Sequence, residues 1–330
     1  MNREKLAAAA SQGIISDDQV EALLSFFASS NAVSNRAEEP LRFVRGVGDI
    51  FITLGVLFVA VATAQISLSP LWNMLPALVC VAAAEWLIRV RRLVLPGVAV
   101  FMSLLYFSSE ALQASLGSSF GNYIDSNISL SLSMLLVLSA VFYARYRLPF
   151  TLLPIALGCI ALVSSLLDID IRSVNSVAIV YGLLIFAVAM WLDSRDVERQ
   201  TVSSDSAFWL HLLAAPLIVH GVMFTLLVSA DAAAYKNIAI LVFFSGFFLL
   251  ALYVDRRALL VSSLSYAIYA VVQLSDSSLF NIENLTLLAF VGLGLVIVLF
   301  GVYWQGIRSL IFSRCSSLSL SKFVPGFNRA

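Results

Sequence analysis

The chain has 330 residues, 60% of them apolar and 12% charged, with 20 Lys and Arg set against 20 Asp and Glu. A water-soluble domain carries roughly 45–50% apolar and about 25% charged residues, so the surplus apolar surface needs lipid around it. Zero net charge supplies no overall field for nucleic acid, and Cys80, Cys159 and Cys315 form neither a disulfide framework nor a metal-spaced pair.

Residues 2–30 read as a small soluble helical hairpin. Asn2 to Gln12 is Ala-rich, Gly13 supplies a left-handed stop, and Ser16-Asp17-Asp18-Gln19 has the form of a capping box. Val20, Leu23, Leu24 and Phe27 then make one apolar stripe at helical spacing. So small a unit buries too little surface to be stable alone, which implies packing on a partner, a second copy or the membrane domain. This long polar stretch reads against a cleaved leader, and Ser, Asn, Glu and Pro over 28–42 form a linker.

Ten apolar segments follow, each near the roughly 20 residues that cross a bilayer as a helix. They fall at 46–66, 71–90, 93–114, 128–145, 148–167, 173–192, 207–229, 236–254, 258–275 and 285–305. The second and third are separated only by Arg89–Arg92, and the fourth and fifth only by Arg145–Arg147. Pro96 and Pro149, just after those basic turns, suit the start of a new helix. The fold class expected is therefore all-α, a polytopic bundle of about ten spans behind an N-terminal hairpin.

Numbering the connections alternately puts every Lys and Arg except Arg172 and Lys236 on one side. Arg89, Arg91, Arg92, Arg145, Arg147, Arg256 and Arg257 carry most of this signal, and Trp209 belongs to an aromatic belt at the same level. The positive-inside rule makes that side cytoplasmic, with both termini on it. The basic turns recur near residues 91, 146, 197 and 256, a periodicity of about one helical hairpin.

Ionisable groups inside spans are the default functional candidates, because burying charge in hydrocarbon is costly. Asp49 lies one turn inside the first span and either pairs with Arg45 or sits at the helix N-terminus. Glu85 is one turn before Arg89, so an edge salt bridge and a cation site facing the bundle are both open. Glu110 has no basic residue one turn away. His211 and His220 stand nine residues apart with Pro216 between them, which puts the imidazoles on opposite helix faces and excludes a shared metal. His211 reads as an interfacial anchor and His220 as a buried group needing a hydrogen-bond partner. Glu85, Glu110 and His220 are the candidate intramembrane polar site. No nucleophile elbow, phosphate loop, dinucleotide turn or metal motif occurs, so neither a catalytic residue nor a metal or cofactor is expected.

The segment Gly13-Ile14-Ile15-Ser16-Asp17-Asp18-Gln19-Val20-Glu21-Ala22-Leu23-Leu24, standing before a chain of short-looped spans, resembles uncharacterised bacterial polytopic membrane proteins of the domain of unknown function family 2157. Phe208–His220 and Asp255-Arg256-Arg257-Ala258-Leu259-Leu260 are similar to segments of bacterial membrane proteins of the same sort. The resemblance implies a bacterial inner-membrane address and no particular activity.

These readings divide the chain into a cytoplasmic hairpin and linker over 1–42, a ten-span domain over 43–306, and a tail over 307–330 that is interfacial or disordered. The expected function is a non-enzymatic membrane scaffold or sensor, whose hairpin recruits a cytoplasmic partner or a second copy. The alternative is a transporter, channel or flippase for a small or amphipathic solute. The lipid bilayer is the one partner common to both.

Overall fold

A computed structural model describes residues 6, 9–34, 44, 46–66, 72, 74–116, 126–167, 174–197, 199, 201–229, 233–257, 259–260 and 285–312. All regular structure among them is helical. In chain order the helices are α1 (Asp17–Ser34), α2 (Val47–Gln65), α3 (Met74–Ala84), α4 (Val94–Leu116), α5 (Ser126–Tyr146), α6 (Leu152–Leu166), α7 (Val174–Arg195), α8 (Val202–Ser229), α9 (Ala233–Val254) and α10 (Leu285–Phe312). A π-helical stretch, Glu85–Val90, prolongs α3, and a short 3₁₀ turn, Pro149–Thr151, leads into α6. Six helical stretches are long and apolar enough to cross a membrane: Val47–Gln65, Val94–Leu112, Ser129–Tyr146, Pro149–Leu166, Asn175–Arg195 and Val202–Leu226. Their outer faces carry the apolar side chains a bilayer solvates; Phe51 and Phe58 on α2, for instance, are 69% and 72% exposed. The expected ninth segment, 258–275, and the tail beyond 312 lie almost wholly outside the described residues.

The chain divides into two compact units. The smaller gathers Met1–Pro40, Val298–Ser317 and Gly326–Ala330. In it Gly13 (φ +72°) closes a helical turn: its N–H donates to Ala10 O at 2.9 Å, and that of Ile14 to Ala9 O at 3.0 Å. Only a residue without a Cβ takes that backbone freely. The capping box opens α1 with both its bonds, Ser16 N to Gln19 Oε1 (3.0 Å) and Gln19 N to Ser16 Oγ (3.3 Å). Trp304 and Arg308, one turn apart just beyond a local break at Tyr303 in α10, are both buried.

The larger unit holds Leu41–Ile297 and Leu318–Pro325, and its helices repeat one packing scheme twice. α4 packs against α2, α3 and α5; α8 packs against α6, α7 and α9. These two hub helices are also the most buried of the long apolar ones. Around α4 the core is Ala84, Leu87, Val100, Phe101, Leu104, Phe142 and Leu148, with the Phe101 and Phe142 rings 4.5 Å apart. Around α8 it is Ile185, Ala189, Leu210, Leu213 and Ala214. Gly182 and Gly221 let the α7 and α8 backbones nearly touch: a Cβ on Gly221 would lie 2.9 Å from Asn175 O, and one on Gly182 3.1 Å from Ile218 N. Small residues that permit such approach are a common means of association where lipid removes the hydrophobic drive.

The helix-ending turns repeat as well. Arg92, Arg147, Arg199 and Asp255 all have positive φ, between 49° and 59°; Arg92, Arg147 and Asp255 stand within two residues of a helix end, where Gly is usual, and Arg199 lies four residues beyond α7, in its connection to α8. Arg147 N–H donates to Tyr143 O at 2.8 Å, and Arg199 N–H to Asp196 O at 3.0 Å. Successive turns touch. Arg145 bonds Glu85, the Phe150 and Trp209 rings meet edge to face at 4.9 Å, and Arg199 pairs with Asp255 at 3.4 Å. All four turns therefore lie at one end of this unit, and the breaks at Arg92 and Arg147 fall within the basic stretches where the sequence divides its long apolar runs. Arg92 and Arg199 are equivalent in the two halves, as are Arg147 and Asp255. An even number of helices per half gives the halves the same direction.

Candidate functional site

The most buried polar chemistry among the described residues lies where α7, α8 and the end of α9 meet. Asp193 sits in the last turn of α7, His211 and Ser204 on α8, and Arg256 directly after α9. The turn between α7 and α8 is held by Asp196, whose Oδ2 accepts from Thr201 N (2.6 Å) and Thr201 Oγ1 (2.7 Å). Thr201 Oγ1 in turn accepts from Ser203 N at 3.3 Å, capping α8 in the way Thr at an N-cap does. This fixes α7 beside α8 in register, so that a carboxylate near the end of one faces an imidazole well inside the other.

Arg256 grips Asp193 with two nitrogens. Its Nε donates to Oδ2 at 3.0 Å and Nη2 to Oδ1, while Nη2 also donates to Ser204 Oγ (2.9 Å) and Ser204 O (3.2 Å). His211 Nε2 lies 3.0 Å from Asp193 Oδ2. Side-chain exposure is 6% for Asp193, 3% for Arg256 and nil for His211. A planar guanidinium against a carboxylate is the strongest and most oriented of ion pairs. Beside it Arg199 pairs with Asp255 at 3.4 Å and donates to Val254 O at 3.1 Å. With Nε2–H donating to Asp193, His211 Nδ1 is an acceptor; it has no hydrogen-bond partner among the described residues, and the Phe186 ring stands edge-on at 5.3 Å.

That Asp–His pair does not make a nucleophilic triad, which needs a hydroxyl on the imidazole nitrogen opposite the carboxylate. Ser204 Oγ serves Arg256 instead. What the arrangement does chemically is join three helix ends through one carboxylate and leave a hydrogen-bond-accepting nitrogen fully buried. No group of three His, Cys, Asp or Glu side chains able to hold a metal occurs among the described residues.

The first half has a more open version of the same clamp. Glu85, in the π-helical stretch, accepts from Arg89, from Arg145 Nη2 at 2.7 Å and from Tyr146 Oη at 3.0 Å. Glu85 precedes Arg92 as Asp193 precedes Arg199, and each binds an Arg from the end of the fourth helix of its half. Exposure separates them: the Glu85 and Arg145 side chains are 41% and 48% exposed, and water or headgroups screen such a pair. Glu85→Ala is therefore expected to shift the midpoint of thermal unfolding only slightly, by an amount that vanishes as salt approaches about 1 M. A large, salt-independent loss would assign Glu85 a buried structural role.

The structure does not bring Glu85, Glu110 and His220 together. Glu85 belongs to the basic end. Glu110 is half-buried on α4, roughly 24 Å along the helix from its start at 1.5 Å per residue, with no hydrogen-bond partner among the described residues. His220 is exposed on α8, on the face opposite the fully buried His211. Asp49 is buried in the first turn of α2, and its expected partner Arg45 lies outside the described residues. Arg91 lies over the Trp86 ring at 5.4 Å, Arg257 is half-buried beside the clamp, and Trp209 packs on Phe150.

Asp193 is not among the sequence candidates because it falls just past the apolar run ending at 192, where a carboxylate reads as solvated. One signal was present: Glu85 and Asp193 each stand shortly before a basic turn.

Fold and site together define a multi-pass helical membrane protein whose two four-helix halves are each clipped by an acid–arginine clamp at the same end. Comparison with protein families, curated proteins and solved structures finds no match for the chain.

Proposed function

We propose that the chain is a non-enzymatic scaffold or sensor of the bacterial inner membrane, with about ten spans and both termini in the cytoplasm. The observation that carries this reading is the Asp193–His211–Arg256–Ser204 cluster. The best-buried charge of the larger unit is spent joining helix ends, away from the middle of the bundle where a solute would need it. The six long apolar helices are completed by Met74–Val90, Ala233–Val254, the apolar run 258–275 and Leu285–Phe312. Clustering of the basic turns at one end supports placing that end in the cytoplasm. The N-terminal hairpin is then the element that recruits a partner or a second copy, in keeping with the likeness of Gly13–Leu24 to family 2157.

A second reading, transport of a small or amphipathic solute, is favoured by the doubled architecture, since parallel repeats recur in carriers whose halves rock about a central site. Single-cysteine variants at 85, 110 and 220, in a background lacking Cys80, Cys159 and Cys315, separate the two. Labelling with a membrane-impermeant maleimide is expected at position 85 from the cytoplasmic side alone, and slow or absent at 110 and 220. Rapid labelling at all three would describe a water-filled path and overturn the scaffold reading. A C-terminal reporter active only outside the cytoplasm would overturn the orientation.

A further inference from the structure

The two halves differ in the left-handed residues of one corresponding pair of turns. In the second half the left-handed residues of the paired turns are Arg199 and Asp255, 3.4 Å apart as an ion pair. In the first half the left-handed residues of the corresponding turns are Arg92 and Arg147. A carboxylate is thus replaced by a second cation, and both arginines are exposed with no ion pair or hydrogen-bond partner for either side chain among the described residues. The turns that carry them are nevertheless held together, through Arg145 on Glu85 and through Leu148 in the core with Ala84 and Leu87. Two guanidinium groups are brought to adjoining turns where the sister half carries one of each sign.

Backbone energetics sharpen the point. Positive φ is strained for a long L-residue, and Gly, Asn or Asp takes it more easily. Arg199 accepts that strain and recovers it in the pair with Asp255. Arg92 and Arg147 accept it with no partner of their own among the described residues. Their neighbours are also basic: Arg91, Arg89 and Arg145 are exposed, and Glu85, the carboxylate between the turns, is already engaged by the last two. Trp86, 54% exposed and stacked by Arg91, marks the level as interfacial. A multidentate oxyanion fits two arginine forks at that depth, and the membrane supplies one in the phosphate of its anionic lipids.

We propose that Arg92 and Arg147 bind the phosphate of an anionic lipid headgroup, which takes the place that the Asp255 carboxylate fills in the second half. The test uses the purified full chain in neutral detergent, with thermal unfolding followed as phosphatidylglycerol, phosphatidylcholine or inorganic phosphate is added. Phosphatidylglycerol is expected to stabilise the wild type saturably and phosphatidylcholine not. The double variant Arg92→Asn/Arg147→Asn is expected to need about tenfold more phosphatidylglycerol for the same shift, as loss of charge-assisted bonds implies. Arg91→Gln/Arg195→Gln, which removes equal charge from the same end, should stay within about twofold of wild type. Arg147→Asp rebuilds the sister half's pair, so it is expected to be at least as stable as wild type without lipid and to lose the response to phosphatidylglycerol. Stability rising while binding falls is an outcome that misfolding does not produce. Inorganic phosphate matching phosphatidylglycerol at equal concentration would overturn the lipid assignment in favour of a soluble phosphate. Equal weakening in both double variants, or no preference in the wild type, would reduce the arginines to markers of topology and overturn the proposal.

Discussion

Asp193→Ala is expected to lower stability by about 3–5 kcal/mol, because it leaves a buried guanidinium and a buried imidazole without their shared acceptor. Arg256 would lose both bonds to the carboxylate while keeping those to Ser204 O and Oγ, and His211 would have no hydrogen bond at either nitrogen among the described residues. Detergent-solubilised protein unfolded by denaturant gives the free energy directly. Asp193→Asn, which keeps shape and one acceptor, should fall between wild type and Ala. The double replacement Asp193→Leu/Arg256→Met should recover most of the loss, since an apolar pair of similar volume avoids the desolvation that an orphaned charge suffers. His211→Phe removes one arm and the unpaired Nδ1 together, so its cost should be well below that of Asp193→Ala. A loss of less than about 1 kcal/mol for Asp193→Ala, the level of an exposed pair, would mean that the clamp opens to water and does not hold the helix ends.

The second large effect is expected at Gly221. A Cβ there would meet Ile179 Cγ1 at 2.5 Å, Asn175 O at 2.9 Å and Ile179 N at 3.3 Å. The side-chain contact can turn aside; the two backbone atoms cannot move unless α7 and α8 part. Gly221→Ala should therefore cost about 1–3 kcal/mol, in the range of overpacked sites, and Gly221→Leu more. Gly55→Ala is the control. Nothing lies within 4 Å of a Cβ at that position on α2, so the better helix propensity of Ala should leave stability unchanged or raise it by up to about 1 kcal/mol. Disulfide trapping between cysteines placed on facing turns of α7 and α8 should slow in Gly221→Leu and not in Gly55→Ala. Equal behaviour of the two Gly→Ala variants would show that the α7–α8 approach is not close in the membrane.

Both predictions concern α7 and α8, which have little internal amphipathic pattern in the sequence. In lipid the surrounding solvent is as apolar as the core, so apolar side chains on the packed and exposed faces look alike. Ile218 is buried and Phe224 is 53% exposed on the same helix, and residue type gives no hint of which is which. The sequence also marks Gly182 and Gly221 no differently from Gly55, yet only the first two meet a facing backbone.

What the chain discloses unaided is what depends on local or composition-level physics. The apolar runs follow from the cost of leaving backbone and hydrocarbon mismatched in a bilayer, and the helix breaks at Arg92 and Arg147 coincide with the basic stretches. The Gly13 stop and the Ser16–Gln19 cap use neighbours within five residues. The opposite facing of His211 and His220 needs only the helical period. Tertiary structure decided the rest. Asp193 meets Arg256 across a separation of 63 residues, and Glu85 meets Arg145 across 60, distances over which no pattern of charge or spacing chooses a partner. Folding alone made His211 the buried imidazole and His220 the exposed one, by packing one face of α8 on α7 and leaving the other outward. It also gave corresponding turns different surroundings: Arg199 pairs with Asp255, while the side chains of Arg92 and Arg147 are exposed with no ion partner among the described residues.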